Sequence, residues 1–232
     1  MPMIEDNTSN KPFLSIIGGK FKQKVTEDTP GAVLREYELS DKTTGSKWEL
    51  SYKSVVGRIE SIEFIEGEYG ENCNIEFDEF IVSLKVPSDF FRSFSERLCG
   101  ADVTKDVTLT PYDFTPKGET NSKRGMNVFQ NDEKLFSNFW DGKTNKNGFP
   151  KTPSDEDPNH VMDKDDWKTY FNVTIKRFLK KQLEALVFPS LSDELVSSAA
   201  KEFDVPVPKK KEKKPQLVAN EDGTISKENL PF

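Results

Sequence analysis

Apolar residues recur every three or four positions between residues 167 and 186, the spacing of a helix with one buried face. This apolar face comprises Trp167, Tyr170, Phe171, Ile175, Phe178, Leu179, Leu183 and Leu186. Asp163 stands where a helix cap is expected, and Pro189 stands where the helix must end. The pattern predicts a long helix that packs either on the protein's own core or on a partner. A shorter helix is predicted over residues 191–203.

A third helix is predicted within residues 87–100, nearer the middle of the chain. Its apolar face comprises Phe90, Phe91, Phe94 and Leu98. Pro87 fits the first helical turn, where a missing N–H is tolerated, and Gly100 fits a left-handed stop. Because strand-like segments precede and follow it, this short helix is expected to cover a sheet.

The flanking segments alternate between apolar and polar residues. Residues 47–53 place Trp48 and Tyr52 on one face of a strand. The run at 74–86 changes phase near Asp78, which predicts a bulge in one long strand. About three strands, a helix and two strands form the order of an OB-fold barrel. We therefore predict a mainly β fold with α-helices, built on an OB-like five-stranded barrel with a capping helix.

The same patterns divide the chain into segments. They are a flexible arm at 1–12, the barrel at 13–140, a loop at 141–159, a helical extension at 160–203 and a disordered tail at 204–232. The tail contains several prolines and a block of lysines at 209–214, a composition that does not support a packed core.

The formal net charge of −7 argues against a purely electrostatic nucleic-acid binder. It does not exclude a binder whose cations are concentrated in one groove. No apolar run approaches the roughly 20 residues of a membrane span, and no secretory signal opens the sequence. We expect a cytoplasmic protein without a membrane partner, in the host cytoplasm if a phage encodes it. Cys73 and Cys99 are then expected to be reduced.

Signals for catalysis are weak. His160 is the only histidine and lies in a loop rich in Pro, Asp and Asn. The acidic residues between 155 and 166 lack the ordered oxygen spacing of a calcium loop, so a helix start explains them better. We predict no enzyme, no cofactor and no metal.

Nucleic-acid binding is favoured by aromatic residues that stand beside cations on predicted strands. Single strands are bound by stacking bases on aromatic faces and by neutralising phosphates. The predicted contact residues are Lys47, Trp48, Tyr52, Lys53, Arg58, Lys123, Arg124, Phe129, Lys134, Phe136 and Trp140. The alternative is that these aromatic residues belong to the core, because alternation alone does not tell which face of a strand is outside.

The chain ends in Leu230, Pro231 and Phe232, preceded by the acidic residues Glu221, Asp222 and Glu228. A disordered linker with a terminal Pro-Phe resembles the tail of bacterial and phage single-stranded DNA-binding proteins. The resemblance implies that the last ring and carboxylate dock into a pocket on replication or recombination proteins. It also implies that the body binds single-stranded DNA.

We therefore predict a protein that coats single-stranded DNA during replication or recombination, without strong sequence preference. It is expected to recruit its partners through the tail, and homo-oligomerisation is possible. The alternative is a structural or virion assembly protein, whose long helix packs on a neighbour and which has no nucleic-acid role.

Overall fold

A computed structural model describes residues 11–38, 42–67, 70–157 and 159–188, all within one unit, Met1–Ser190. The strands are β1 (Phe13–Ile17), β2 (Lys20–Val25), β3 (Val33–Glu38), β4 (Thr44–Tyr52), β5 (Val55–Gly57), β6 (Ile59–Gly67), β7 (Gly70–Phe77), β8 (Ile81–Lys85), β9 (Val107–Phe114), β10 (Lys123–Gln130) and β11 (Glu133–Lys134). The helices are α1 (Asp89–Leu98), α2 (Pro153–Glu156), α3 (Lys164–Thr169), a π-helical segment (Tyr170–Ile175) and α4 (Lys176–Glu184).

The strands form two sheets. Seven strands pair in the order β3-β4-β2-β1-β8-β7-β6, and four pair in the order β11-β10-β9-β5. The pairs are antiparallel except for β1 with β8, which run parallel. The prediction of a mainly β fold with helices is confirmed.

The predicted five-stranded OB-like barrel is wrong. A barrel closes only when its first and last strands pair, which removes both edges. Here the two sheets remain separate and do not close into a barrel. The β1–β2 hairpin pairs with β8 on one side and with β4 on the other. This pairing widens the larger sheet to seven strands.

The predicted long strand at 74–86 is a hairpin. Its two arms, β7 and β8, pair antiparallel, with Ile75 opposite Val82. The turn between them is closed by the amide of Phe77, which donates to the carbonyl of Phe80 at 2.8 Å. The phase change near Asp78 therefore marks a reversal of the chain rather than a bulge.

Helix α1 begins and ends differently from the prediction. Its N-cap is Ser88, whose hydroxyl accepts from the amide of Phe91 at 3.1 Å, so Pro87 precedes the helix. The C-cap is Cys99 in a right-handed conformation, and Gly100 is not left-handed. The helix covers part of the edge of β10, because the amide of Met126 donates to the hydroxyl of Ser93 at 2.6 Å.

The long helix is confirmed for residues 164–184, although its middle turns are π-helical. Asp163 caps it as predicted, accepting from the amides of Asp165 and Asp166 at 2.8 Å each. Leu179 and Leu183 are buried in the same core as the strands, so this helix packs on the protein itself. The shorter helix at 191–203 and the tail at 204–232 lie outside the described residues.

One hydrophobic core joins both sheets, α1 and α4. Phe21, Phe77, Phe94, Leu109 and Leu179 are among its fully buried members. Cys73 and Cys99 are free thiols rather than a disulfide. No helix within the described part of the chain combines the length and apolar character that crossing a bilayer requires.

Candidate nucleic-acid interface

The first group of predicted contact residues does not form one surface. Lys47 binds the buried carboxylate of Glu49 at 3.2 Å, on the face of β4 opposite Trp48. The half-buried Tyr52 donates its hydroxyl to Gln23 at 2.7 Å and packs against the core. Lys53 is exposed and Arg58 is half-buried. Tyr52 lines a small cavity of about 260 Å³, and base stacking on Trp48 and Tyr52 stays a prediction.

The second predicted group lies on and after β10, where its cations have acidic partners. Lys123 binds Glu119 at 2.9 Å, and Arg124 binds Asp113 at 3.2 Å. Phe129 is half-buried and lies directly opposite the exposed Lys134. Phe136 is 77% exposed. These residues do not line the groove described next.

Trp140, the last predicted residue, lines a groove of about 840 Å³. Its other aromatic lining residues are Phe149, Trp167, Tyr170 and Phe171, and its basic lining residues are Arg92, Lys143 and Lys151. Trp140, Trp167 and Phe171 remain 47%, 41% and 36% exposed. Large aromatic side chains are often buried, so three partly exposed ones along one groove make it the candidate site. We call this surface the aromatic groove.

Two rings of the aromatic groove form a stacked pair. Trp167 and Phe171 have ring centres 5.6 Å apart and planes inclined by 18°. They are four positions apart, so helical geometry brings them together across the junction of α3 and the π-helical segment. Tyr170, between them, is buried and donates its hydroxyl to the carbonyl of Pro150 at 2.8 Å. That bond ties the helix to the loop on the other side of the groove.

Arg92 of α1 supplies the cation nearest the stacked pair. Its guanidinium carbon lies 4.9 Å from the centre of the Phe171 ring, a cation–π distance. The same side chain is 42% exposed and lies 3.6 Å from Glu96, one helical turn away. Arg92 is therefore partly exposed in the groove and next to Glu96, which also lines it.

Trp140 is positioned by a short, hydrogen-bonded loop. The Asp141 carboxylate accepts from the amides of Lys143 and Thr144 at 2.9 and 2.8 Å. The Thr144 amide is the main cause of a pKa for Asp141 well below its usual range, so this carboxylate stays charged. Trp140 also forms an isolated β-bridge with Asn145. The loop thereby fixes the backbone of Trp140 at the edge of the groove.

The acidic residues near the groove have structural roles. Asp155 accepts from Thr152 in a capping box that begins α2, and Asp166 accepts from the amide of the N-cap Asp163 in the equivalent box of α3. His160 lies 2.9 Å from Asp166. Within residues 11–38, 42–67, 70–157 and 159–188, no three His, Cys, Asp or Glu side chains are grouped as a metal site.

The aromatic groove continues into a second cavity of about 350 Å³, beyond Arg92 and Phe171. Lys176 lines this cavity and binds Glu71 at 2.9 Å. Lys180 also binds Glu71, whose side chain is only 7% exposed. Hydrogen bonds from Lys180 and then Lys176 lower the pKa of Glu71. This ion cluster ties α4 to β7 and so holds the helix that carries the groove.

Most groove residues were not identified from the sequence. The sequence pattern places Trp167 and Phe171 only on an apolar helix face, and it places Arg92 within the short helix at 87–100. The sequence offers one signal for them, an excess of aromatic residues on this helix face. Residues such as Ile175 and Leu179 already supply a buried stripe, so Trp167 and Phe171 are more than the core requires.

Comparisons with protein-family models, with curated proteins and with solved structures found no match for this chain.

Proposed function

We propose that this protein binds single-stranded DNA in the aromatic groove, without strong sequence preference. The observation that supports the proposal is the set of partly exposed rings, Trp140, Trp167 and Phe171, along one groove that Arg92 also lines. Every base has a face that can stack on such a ring, so the contact is tolerant of sequence. In a duplex these faces are covered by neighbouring base pairs, so the groove favours unpaired strands.

Phosphate neutralisation is assigned to the cations of the groove. Arg92, Lys143 and Lys151 line it. Its acidic residues Asp155 and Glu96 are engaged with Thr152 and Arg92. Because a strand that binds these cations releases counterions, affinity is expected to fall as salt rises.

The decisive experiment is a titration of the full chain with fluorescent oligo-dT and with a duplex of equal length, each at two salt concentrations. We expect tighter binding of oligo-dT, and weaker binding at the higher salt. Equal affinity for the duplex, or no oligo-dT binding at low salt, rejects the proposal.

We also propose that the terminal Leu230, Pro231 and Phe232 recruit replication or recombination proteins. The support is the resemblance of this end to the tails of single-stranded DNA-binding proteins. Deletion of residues 229–232 is expected to abolish capture of the cognate polymerase, helicase or recombinase and to leave oligo-dT affinity unchanged or slightly raised. Retained capture rejects this role of the tail.

A protein-interaction or virion assembly role without nucleic acid is the second candidate. Exposed aromatic rings such as Trp167 and Phe171 are also enriched at protein interfaces. The same oligo-dT titration separates the two candidates, because an assembly module has no reason to bind the oligonucleotide in a salt-dependent way.

A further inference from the structure

A second basic surface lies on the larger sheet, on one face of β2, β3 and β4. In β2, Lys20, Lys22 and Lys24 alternate along the strand and so point to the same side of the sheet. Lys22 lies opposite Ser51 of β4 and donates to its hydroxyl at 2.6 Å. Lys24 lies opposite Glu49. The side of β4 that carries Glu49 and Ser51 therefore belongs to the same surface as the three lysines.

Two further cations complete the surface on the neighbouring strands. Arg35 of β3 lies opposite Lys47 of β4, and both bind Glu49. The Arg35 contacts are two hydrogen bonds of 2.8 and 3.0 Å to the two carboxylate oxygens. Glu49 is 2% exposed, whereas the side chains of Arg35 and Lys47 remain 29% and 30% exposed. The buried carboxylate therefore holds both cations in place while part of each still faces water.

An aromatic ring lies within the same face. Arg35 and Lys47 are 5.2 and 5.7 Å from the centre of the Tyr37 ring. Tyr37 lies opposite Gly45, and a Cβ added to that glycine would come within 2.6 Å of the ring. The ring thus lies directly over Gly45, close to the sheet. We call this surface the basic face, comprising Lys20, Lys22, Lys24, Arg35, Tyr37 and Lys47.

We propose that the basic face is a second nucleic-acid site, which binds the phosphate backbone of a single strand. Five cations share the face with one buried carboxylate, in a chain whose net charge is −7. A positive surface on an acidic protein is complementary to a polyanion. Tyr37, the one aromatic residue among those that define the face, is half-buried, so we expect binding there to be mainly electrostatic. This inference rests on the proposed function for its ligand class, and the basic face shares no residue with the aromatic groove.

The test uses a strand that carries phosphates but no bases. An abasic deoxyribose-phosphate oligomer cannot stack in the aromatic groove, whereas it can still occupy the basic face. The test variant is the full chain with Lys20→Ala, Lys22→Ala and Lys24→Ala. The matched control is Lys105→Ala, Lys164→Ala and Lys181→Ala, which removes the same charge from exposed positions elsewhere.

We expect the test variant to lose affinity for the abasic oligomer by about tenfold or more at low salt, and the control to change little. The slope of log affinity against log salt should become shallower by about 2 for three lost phosphate contacts on a single strand. Arginine at all three positions should preserve binding, and circular dichroism should show that both variants are folded.

Three results overturn the inference. They are equal losses in the test and control variants, no loss in the test variant, and displacement of the abasic oligomer by poly-glutamate as readily as by oligo-dT. The last result would assign the face to an acidic protein segment. Failure of the proposed function gives a different result from failure of this inference. If only the proposed function is wrong, Trp140→Ala and Trp167→Ala leave oligo-dT binding unchanged, while the lysine variant still loses binding of the abasic oligomer.

Discussion

Arg92 of α1 lies over the ring of Phe171 at 4.9 Å, and this contact joins two helices that are distant in the sequence. Arg92 thus places a cation beside the stacked pair of Trp167 and Phe171. Stacking and charge neutralisation are therefore available at one point of the aromatic groove, which suits a strand whose phosphates follow its bases closely.

Arg92→Ala is expected to weaken oligo-dT binding by about 1 kcal/mol, since the proposed phosphate contact is removed. The slope of log affinity against log salt should fall in magnitude by about 0.7. Arg124→Ala is the control, because Arg124 is paired with Asp113 outside the groove. Identical salt slopes for the wild type and Arg92→Ala would contradict the placement of a phosphate beside Arg92.

Trp140→Ala and Trp167→Ala are each expected to cost about 1–3 kcal/mol of oligo-dT binding, the usual value of one lost base stack. Phe136→Ala removes an even more exposed ring outside the groove and should leave affinity unchanged. Fluorescence titration gives the affinities, and thermal melts show whether each variant is folded.

The chain has three tryptophans, and the third, Trp48, is outside the groove. Quenching of the intrinsic fluorescence by oligo-dT should therefore persist in Trp48→Phe. It should be strongly reduced when Trp140 and Trp167 are both replaced by Phe. The opposite pattern would support the prediction that Trp48 stacks with bases.

Glu71→Gln is expected to destabilise the fold by about 1–3 kcal/mol at pH 7, because the charged partner of Lys176 and Lys180 is lost. The pKa of Glu71 is lower in the folded protein than in the unfolded chain. The stabilisation from its ionised carboxylate is therefore fully present above the pKa of the unfolded chain, and it is lost as the pH falls through the pKa of the folded protein. The difference in melting temperature between wild type and Glu71→Gln should shrink below about pH 4.

Thermal unfolding at several pH values between 7 and 3 measures this effect. Glu133→Gln is the control, since Glu133 is exposed on the short strand β11. A difference between wild type and Glu71→Gln that stays constant with pH would show that the ionised carboxylate does not stabilise the fold.

Leu179→Ala is expected to cost about 2–5 kcal/mol of stability, as for other fully buried leucines. Val187 is 83% exposed, so Val187→Ala should change stability by less than about 0.5 kcal/mol. Urea denaturation of both variants gives the comparison. If Leu179→Ala were as mild as Val187→Ala, α4 would not be part of the core.

The sequence predicted the elements whose signals are local. The helical spacing from Trp167 to Leu183 and the cap at Asp163 are set by residues a few positions apart, and both are confirmed. The π-helical turns were not predicted, because the spacing of apolar residues over a whole helix does not show where one turn contains an extra residue.

The arrangement of the strands could not be predicted in the same way. Alternation identifies a strand, but it does not say which strand lies beside it. The parallel pairing of β1 with β8 joins distant parts of the chain and enlarges the sheet beyond a five-stranded barrel.

The aromatic groove could not be predicted for the same reason, because it is formed by residues that are distant in the sequence. Only the packing of α1 against the later helix brings Arg92 to Phe171.

The π-helical segment Tyr170–Ile175 fixes the phase between two halves of one helix. A π-turn contains an extra residue relative to an α-turn, and an α-helix rotates about 100° for each residue. A regular α-helix of the same length would therefore rotate Leu179 and Leu183 by about that angle relative to Trp167. Either the leucines would leave the core or the tryptophan would leave the groove. The π-helical turns, more than the identity of the exposed residues in this segment, therefore couple the interior of the protein to the aromatic groove.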